Sequence, residues 1–358
     1  MLNLRVSALH TVLLTGCLAV CVGCRTPASE KPIGKVVAIK APLGLPPVPI
    51  PADNPPTAET IALGRKLFYD PRLSKDNTVS CASCHNPNIG FADGRPIAQG
   101  VGGLTGKRNA PTLLNAAYGT LQFWDGRALT LETQAAFPMV DPLEMNQAHD
   151  VSVSKIRKDP AYKAEFAQAF GPGTITLAII EKSLASFERT LLSGNSAFDR
   201  YEYGGDKQAM TPAAINGLAI FKDPKRGNCA VCHTMGEHDS LFTNYRFHNT
   251  GAGVNGAGEF TDLGRFGQTQ VDKDTGAFKT PGLRNVALTA PYMHDGSLKT
   301  LKDVVDFYAG GGNSNPYLDH DMKALHLSAQ DRADLVAFLE ALTGDMPANA
   351  GPPGNDSK

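Results

Sequence analysis

The chain has 358 residues, 42% of them hydrophobic and 19% charged, and its formal net charge is −1. This length is sufficient for two domains with tails, and the near-zero charge argues against a nucleic-acid-binding protein. Of seven cysteines, four belong to one repeated motif and three lie near the N-terminus, so no structural disulfide is predicted.

Residues 1–24 have the features of an export signal. Arg5 is followed by a mostly apolar run up to Gly23, which is typical of a signal peptide. Two cysteines fit a lipoprotein signal: the residues before Cys17 match the cleavage pattern better, whereas Cys24 gives a more usual length and precedes polar sequence. We favour Cys24, with a plain signal or an uncleaved apolar anchor as the alternative. The sequence therefore predicts a periplasmic protein whose membrane attachment, where it has one, is a lipid anchor.

The rest of the chain is predicted to consist of a linker, two folded domains and a tail. Residues 25–54 are rich in proline and are predicted to form an extended linker. Two folded domains are predicted, at 55–204 and 205–345, from an internal repeat. Residues 346–358 are rich in proline, glycine and polar residues, which predicts a flexible tail.

The internal repeat is the pattern Gly-x-x-aliphatic-Phe-x-Asp-Pro, which begins at Gly64 and again at Gly217. Each copy ends a predicted helix that begins at a threonine, Thr57 in the first copy and Thr211 in the second. Threonine caps helix N-termini, and the residue before proline disfavours helix. Each copy is followed by Cys-x-x-Cys-His. The sequence thus predicts two copies of one small helical domain.

The Cys-x-x-Cys-His motif is typical of covalent haem attachment. Its thiols bind the haem vinyl groups, and its histidine ligates the iron. A zinc site would need its second cysteine pair within about 15–20 residues, and a dithiol redox site needs no following histidine. The residues predicted to attach the two haems are Cys81, Cys84 and His85 in the first motif, and Cys229, Cys232 and His233 in the second.

Other periodic segments also predict helices. Apolar residues from Leu177 to Leu191 recur at spacings of three and four, which predicts one long helix. Ser328, with Asp331 three residues later, predicts the start of a last helix that stops at Gly344. No sheet is predicted, so the predicted fold class is all-α.

Several motifs in a fixed order resemble the bacterial family of di-haem cytochrome c peroxidases and MauG. Besides the haem motifs they are Arg-Asn-Ala-Pro-Thr at 108–112, Phe-Trp-Asp-Gly-Arg at 123–127, the segment 134–144, and Leu-Arg-Asn at 283–285 leading to Ala-Pro-Tyr-Met-His-Asp-Gly at 290–296. The resemblance covers about residues 55–345 and implies two cytochrome c-like haem domains in tandem with long loops. It implies a peroxidase that reduces hydrogen peroxide with electrons from a small cytochrome c, a cupredoxin or a protein substrate. A MauG-like enzyme would oxidise a partner protein through high-valent haems.

In this family the first haem is the peroxide site. Gln134, Pro138 and Glu144 match the residues of its distal pocket. A carboxylate above the iron can move a proton between the two peroxide oxygens, and the amide can orient the peroxide. Trp124, the only tryptophan, matches a residue that lies between the haems and helps electrons to cross. Many family members have a blocking histidine where this chain has Val101, so the first haem is predicted to be open.

The second haem is the electron-transfer site, and its second ligand is a Met in ordinary family peroxidases but a Tyr in MauG. The family position, fourteen residues after His294, holds Tyr308. Apolar residues of 301–308 share one helical face with this tyrosine, which predicts that it points inward. A phenolate ligand lowers the potential of the iron and favours storage of oxidising equivalents on both haems. Met293 and Met322 are the rival ligands.

The resemblance also implies a calcium ion between the haems. Asn109 would provide its side chain, and Thr289 and Pro291 their backbone carbonyls; such oxygen ligands suit Ca²⁺. His294 is predicted to be structural, near the haems or the calcium.

A passive di-haem electron carrier is the alternative function. Gln134 and Glu144 argue against it, because a carrier needs no acid above an open iron. The sequence does not identify the electron donor, and it leaves a homodimer as an alternative to a monomer.

Overall fold

The computed structural model describes residues 30–348 and 350–354. The predicted signal peptide and both candidate lipidation cysteines lie outside these ranges. Within them the fold is mostly helical. The helices are α1 (Ala58–Phe68), α2 (Cys81–Cys84), α3 (Leu131–Val140), α4 (His149–Lys158), α5 (Pro160–Phe170), α6 (Leu177–Glu188), α7 (Ala197–Glu202), α8 (Pro212–Lys222), α9 (Phe266–Thr269), α10 (Leu301–Ala309) and α11 (Ala329–Glu340). In this part of the chain no helix has the length and apolar character needed to span a membrane.

One short antiparallel pair accompanies the helices. Strand β1 (Phe247–His248) pairs with β2 (Phe278–Lys279), with Phe247 opposite Lys279. The prediction that the chain contains no sheet is therefore wrong, because these two strands form one. Two residues per strand are too few to produce the alternating pattern by which a strand is recognised in a sequence.

The predicted helix starts are confirmed. Thr57 caps α1, Thr211 caps α8 with a proline at the first helical position, and Ser328 caps α11. The last helix ends earlier than predicted, at Glu340. Gly344 instead allows a close backbone approach, since an added Cβ would lie 2.3 Å from the carbonyl oxygen of Gly194.

The glycine of each repeat lets two helices approach closely. In the first half α1 packs against α6, and a Cβ at Gly64 would lie 1.8 Å from the carbonyl oxygen of Ser183. In the second half α8 packs against α11, and a Cβ at Gly217 would lie 1.9 Å from the carbonyl oxygen of Asp334. The repeat therefore encodes the same helix contact twice.

Each helix pair carries its own hydrophobic core. The repeat phenylalanine Phe68 packs against Phe187 of α6, with ring centroids 5.3 Å apart. Its counterpart Phe221 packs against Phe338 of α11, with ring centroids 5.0 Å apart. All four side chains are buried, so the two halves are built on the same plan.

The proline-rich segment 30–54, predicted as a linker, is packed against the folded body. Leu45 is buried, and the carbonyl oxygen of Gly44 accepts hydrogen bonds from the Ser240 N–H, at 3.1 Å, and from Arg284. Proline excludes helix here but does not prevent burial, because its ring loses little entropy on packing. The segment is extended, as predicted, but it is not a free linker.

The C-terminal tail also differs from its prediction. Tyr69 donates its hydroxyl to the carbonyl oxygen of Ala350 at 2.6 Å, and Arg65 donates to that of Gly351 at 2.7 Å. Ala350 is buried against the first core. Residues 350–352 are thus tied to the C-terminal end of α1, because that end offers a hydroxyl and a guanidinium to their carbonyl groups.

Candidate active site

One cavity of the second half brings together the second haem motif and the predicted axial ligand. Cys229, Cys232, His233 and Tyr308 all line it. The Nδ1 of His233 donates to the carbonyl oxygen of Phe242 at 2.8 Å, which leaves Nε2 available to a metal. Burial lowers the pKa of His233 to about 4, so the ring is neutral, the form that ligates iron.

Helix α10 directs Tyr308 into this cavity, as the sequence predicted. Burial raises the pKa of its phenol, and the neighbouring Cys232 and Cys229 raise it further. A phenolate at this position therefore needs the positive charge of a bound metal ion. Met293 and Met322 line the same cavity, so both rival ligands remain near the site.

The first haem motif has the same arrangement of histidine and carbonyl. The Nδ1 of His85 donates to the carbonyl oxygen of Phe91 at 3.1 Å, and burial lowers the pKa of the imidazole. Burial also raises the pKa of the Cys81 and Cys84 thiols, and the charge of Glu144 contributes at both. The predicted catalytic acid therefore lies near the first haem motif.

Glu144 is a largely buried acid whose pKa is raised. Burial raises its pKa to about 6, the charge of Asp141 adds to this effect, and Arg127 opposes it. Such a carboxyl is ionised at neutral pH but close enough to its pKa to accept and return a proton.

Val101, the residue at the position of the blocking histidine, lies beside this acid. Val101 is 5% exposed and belongs to the first core. Its backbone N–H donates to the carbonyl oxygen of Glu144 at 2.8 Å. A Cβ at Gly100 would lie 2.3 Å from the same oxygen, so the glycine permits this close approach.

Gln134 and Pro138 lie four residues apart on α3, which places them on one helical face. The carbonyl oxygen of Pro138 accepts the backbone N–H of Met145 at 3.1 Å. This bond turns the chain back towards α3. Glu144, the residue before Met145, therefore lies close to the C-terminal end of that helix.

Trp124 lies between the two halves. It lines the cavity of the second haem motif, and its Nε1 donates to the carbonyl oxygen of Asn109 at 2.9 Å. Its own carbonyl oxygen accepts the N–H of Lys279, in β2, at 2.8 Å. The indole is therefore held by the first half, and the backbone of the same residue is held by β2 of the second half.

The three predicted calcium ligands line the same cavity: Asn109, Thr289 and Pro291. The side-chain nitrogen of Asn109 donates to the carbonyl oxygen of Arg95 at 2.9 Å, so its amide oxygen is the atom left for a cation. His294 is buried, and its carbonyl oxygen accepts the N–H of Asn109 at 2.7 Å. Within the described part of the chain, its Nε2 has no hydrogen-bond partner.

Sequence analysis missed a second buried acid near the first haem motif. Glu188, the last residue of α6, is 4% exposed, and its Oε2 has no hydrogen-bond partner among the residues that the structure describes. Burial raises its pKa to about 8, and Glu132 adds to this while Arg189 opposes it. Its charge also raises the pKa of Cys81. A single acid at the end of an apolar helix gives no sequence signal that would have found it.

The comparisons with known proteins agree with this geometry. The family model for di-haem cytochrome c peroxidase matches residues 58–208. The chain is 41% identical to the methylamine utilization protein MauG of Methylorubrum extorquens, over 92% of this chain and 91% of that protein. It is 38% identical to a cytochrome-c peroxidase of Denitromonas iodatirespirans, over 86% of this chain and 87% of that protein.

Among solved structures, a MauG-like protein associated with microbial copper homeostasis has a TM-score of 0.78 and 34% identity, with 87% of this chain and 96% of that chain covered. These relatives span most of the chain and most of their own length. The chain therefore belongs to the di-haem cytochrome c peroxidase and MauG family of haem-dependent oxidoreductases.

Proposed function

We propose that this protein is the MauG-like kind of di-haem peroxidase, which uses hydrogen peroxide to oxidise a partner protein. The observation that carries the proposal is the position of Tyr308. It faces Cys229, Cys232 and His233 in one cavity, where a phenolate ligand to the second iron would lower its potential. A low-potential second haem is poorly suited to a high-potential donor and well suited to holding an oxidising equivalent.

The second candidate is an ordinary peroxidase that takes electrons from a small cytochrome c or a cupredoxin. The observation that favours it is the presence of Met293 and Met322 in the same cavity. Methionine as the iron ligand would raise the potential of the second haem.

Both haems are proposed to be covalently attached within two tandem cytochrome c-like units, 55–204 and 205–345. The residues fit this group, because each motif offers two thiols and a neutral histidine whose other nitrogen is already hydrogen-bonded. When bound, the haems supply the redox chemistry, and the protein supplies orientation and proton transfer.

The chain provides the proton transfer that peroxide reduction requires. Each peroxide takes up two electrons and two protons to form two water molecules. With the haems bound, Glu144 as a carboxylate would accept a proton from one peroxide oxygen and return it to the other. Gln134 would orient the peroxide, with Pro138 on the same face of α3, and Val101 is an apolar residue that cannot ligate the first iron. Trp124 would carry electrons between the two haem sites.

A calcium ion is proposed between the haems, bound by Asn109, Thr289 and Pro291. Within the described residues, neither the Thr289 nor the Pro291 carbonyl oxygen accepts a backbone or side-chain hydrogen bond. Two such carbonyl oxygens, in a cavity that the Asn109 amide also lines, are a suitable partial ligand set for Ca²⁺, with water completing it.

The proposed location is the periplasm, with a lipid anchor at Cys24. The apolar run that ends near this residue supports export, and covalent haem attachment takes place outside the bacterial cytoplasm.

A stopped-flow experiment tests the proposed function. The purified holoprotein is mixed with hydrogen peroxide and then with one donor at a time: a reduced cytochrome c, a reduced cupredoxin, or a protein encoded next to it. Fast reaction with peroxide, followed by oxidation of the neighbouring protein alone, supports the MauG-like function. Turnover with the small redox proteins supports the ordinary peroxidase. Two low-spin haems that ignore peroxide would leave a passive electron carrier.

A further inference from the structure

Trp124 is followed by a partly buried ion-pair network that joins the two halves. The Nη1 of Arg108 lies 2.7 Å from Oδ2 of Asp125, the residue after the tryptophan. The same guanidinium donates two hydrogen bonds to Asp262, from Nε to Oδ2 at 2.6 Å and from Nη2 to Oδ1 at 2.9 Å. Asp262 belongs to the glycine-rich loop 251–267 of the second half. One side chain thus ties the tryptophan loop to the opposite half.

These groups are shielded from solvent. The side chains of Arg108, Asp125 and Asp262 are 20%, 5% and 18% exposed. Two-pronged arginine–carboxylate pairs are directional as well as strong. Arg127 also donates to the Asp125 carboxylate, at 3.0 Å, so the loss of Arg108 would leave Asp125 paired within its own loop but would free Asp262 from it. The network therefore holds a defined geometry, unlike an ion pair on the open surface.

Further contacts from the second half hold the same loop. The Nη1 of Arg265 donates to the carbonyl oxygens of Asp125, at 2.7 Å, and Gly126, at 3.1 Å. Gly126 has a φ of +69°, and a Cβ there would lie 2.5 Å from the ring of Phe247. The backbone of this loop is therefore packed against the second half, and among the described residues Arg108 is the side chain that links the Asp125 carboxylate to that half.

We propose that Arg108 is a positioning residue for Trp124, because it bridges Asp125 and Asp262 and so holds the indole in line between the two haem sites. The inference rests on the proposed function, in which Trp124 carries electrons between the haems. Arginine is required, because its planar fork reaches two carboxylates at once. A lysine has a single charged nitrogen and can form a close ion pair with only one of the two carboxylates.

The test measures electron transfer between the haems in the holoprotein without peroxide. A pulse delivers one electron to the oxidised protein, and the different absorption bands of the two haems report its redistribution. We expect Arg108→Gln and Asp262→Asn each to slow this step roughly tenfold, since a misplaced group lowers the rate of the step that depends on its position. Arg108→Lys should give an intermediate rate.

The control is Arg332→Gln, which removes an arginine–aspartate pair, Arg332 with Asp306 at 2.8 Å, within the second half. It should leave the rate unchanged.

An unchanged rate in both Arg108→Gln and Asp262→Asn overturns the proposal. Opposite changes in these two variants also overturn it, since they would report the removal of a positive and a negative charge instead of a lost position. If Arg108→Gln binds no haem, Asp262→Asn and Arg108→Lys decide. Failure of the proposed function is seen separately, as a wild-type protein with normal electron redistribution that does not react with peroxide.

Discussion

Replacement of Glu144 by glutamine is expected to reduce catalysis and to increase stability. Burial raises the pKa of this carboxyl from 4.5 to about 6. At about 1.36 kcal/mol per pKa unit, ionisation of Glu144 then costs the folded state ~2 kcal/mol. The group is largely buried, so solvent screening removes little of this cost.

The sign of the pH dependence follows from proton binding. Between pH 4.5 and about 6 the folded protein holds the proton on Glu144 more firmly than the unfolded chain does. The free energy of unfolding therefore falls as pH rises through this window, and the full cost is present above it. Glutamine does not ionise, so Glu144→Gln should be more stable than wild type by ~2 kcal/mol at pH 8 and by little at pH 4.5.

Catalysis should change in the opposite direction. Glutamine cannot take a proton from peroxide, so the peroxide reaction should slow by roughly 10²–10⁴-fold. In the wild type the rate should fall as pH falls through about 6, because the required carboxylate becomes protonated. The pH profile of the residual reaction in the variant should lose this step.

Denaturant unfolding of the holoprotein at the two pH values and stopped-flow kinetics measure both effects. Glu340→Gln, at the exposed end of α11, is the matched control and should change neither. A rate change below about threefold would remove Glu144 from the mechanism, since positioned acid–base groups contribute far more. A loss of stability at pH 8 would show that the carboxylate has a stabilising partner, and would refute the argument from burial.

Four further outcomes are expected. Tyr308→Met should raise the potential of the second haem, and Tyr308→Phe should leave an open position; a His/Met spectrum in the unmutated protein would refute ligation by the tyrosine. The oxidised protein should bind cyanide at once, because Val101 stands where a blocking histidine would; binding only after reduction contradicts this. Gly64→Ala should destabilise the protein by about 1–3 kcal/mol in denaturant unfolding, since its Cβ would overlap the carbonyl oxygen of Ser183; wild-type stability would show that the helices can separate without cost. Removal of calcium by a chelator should alter the haem spectra and electron transfer, and Asn109→Ala should lower the calcium content; a protein that contains no calcium would refute that site.

Much of the architecture was accessible from local sequence signals. The caps at Thr57 and Thr211 and the two haem motifs each depend on chemistry within a few residues. Such signals appear at fixed spacing whatever the rest of the chain does. The order of motifs identified the family for the same reason, and the comparisons confirmed it.

The tertiary structure decided what depends on contacts between distant residues. The pairing of Arg108 with Asp262 spans 154 positions, and no local pattern announces it. The packing of segment 30–54 was mispredicted because proline content reports backbone conformation and says nothing about burial. Glu188 was missed because its properties come from its surroundings. Composition and spacing determined the chemistry that the chain carries; folding determined the dielectric around each charge and the partners it meets, and those set its pKa and its role.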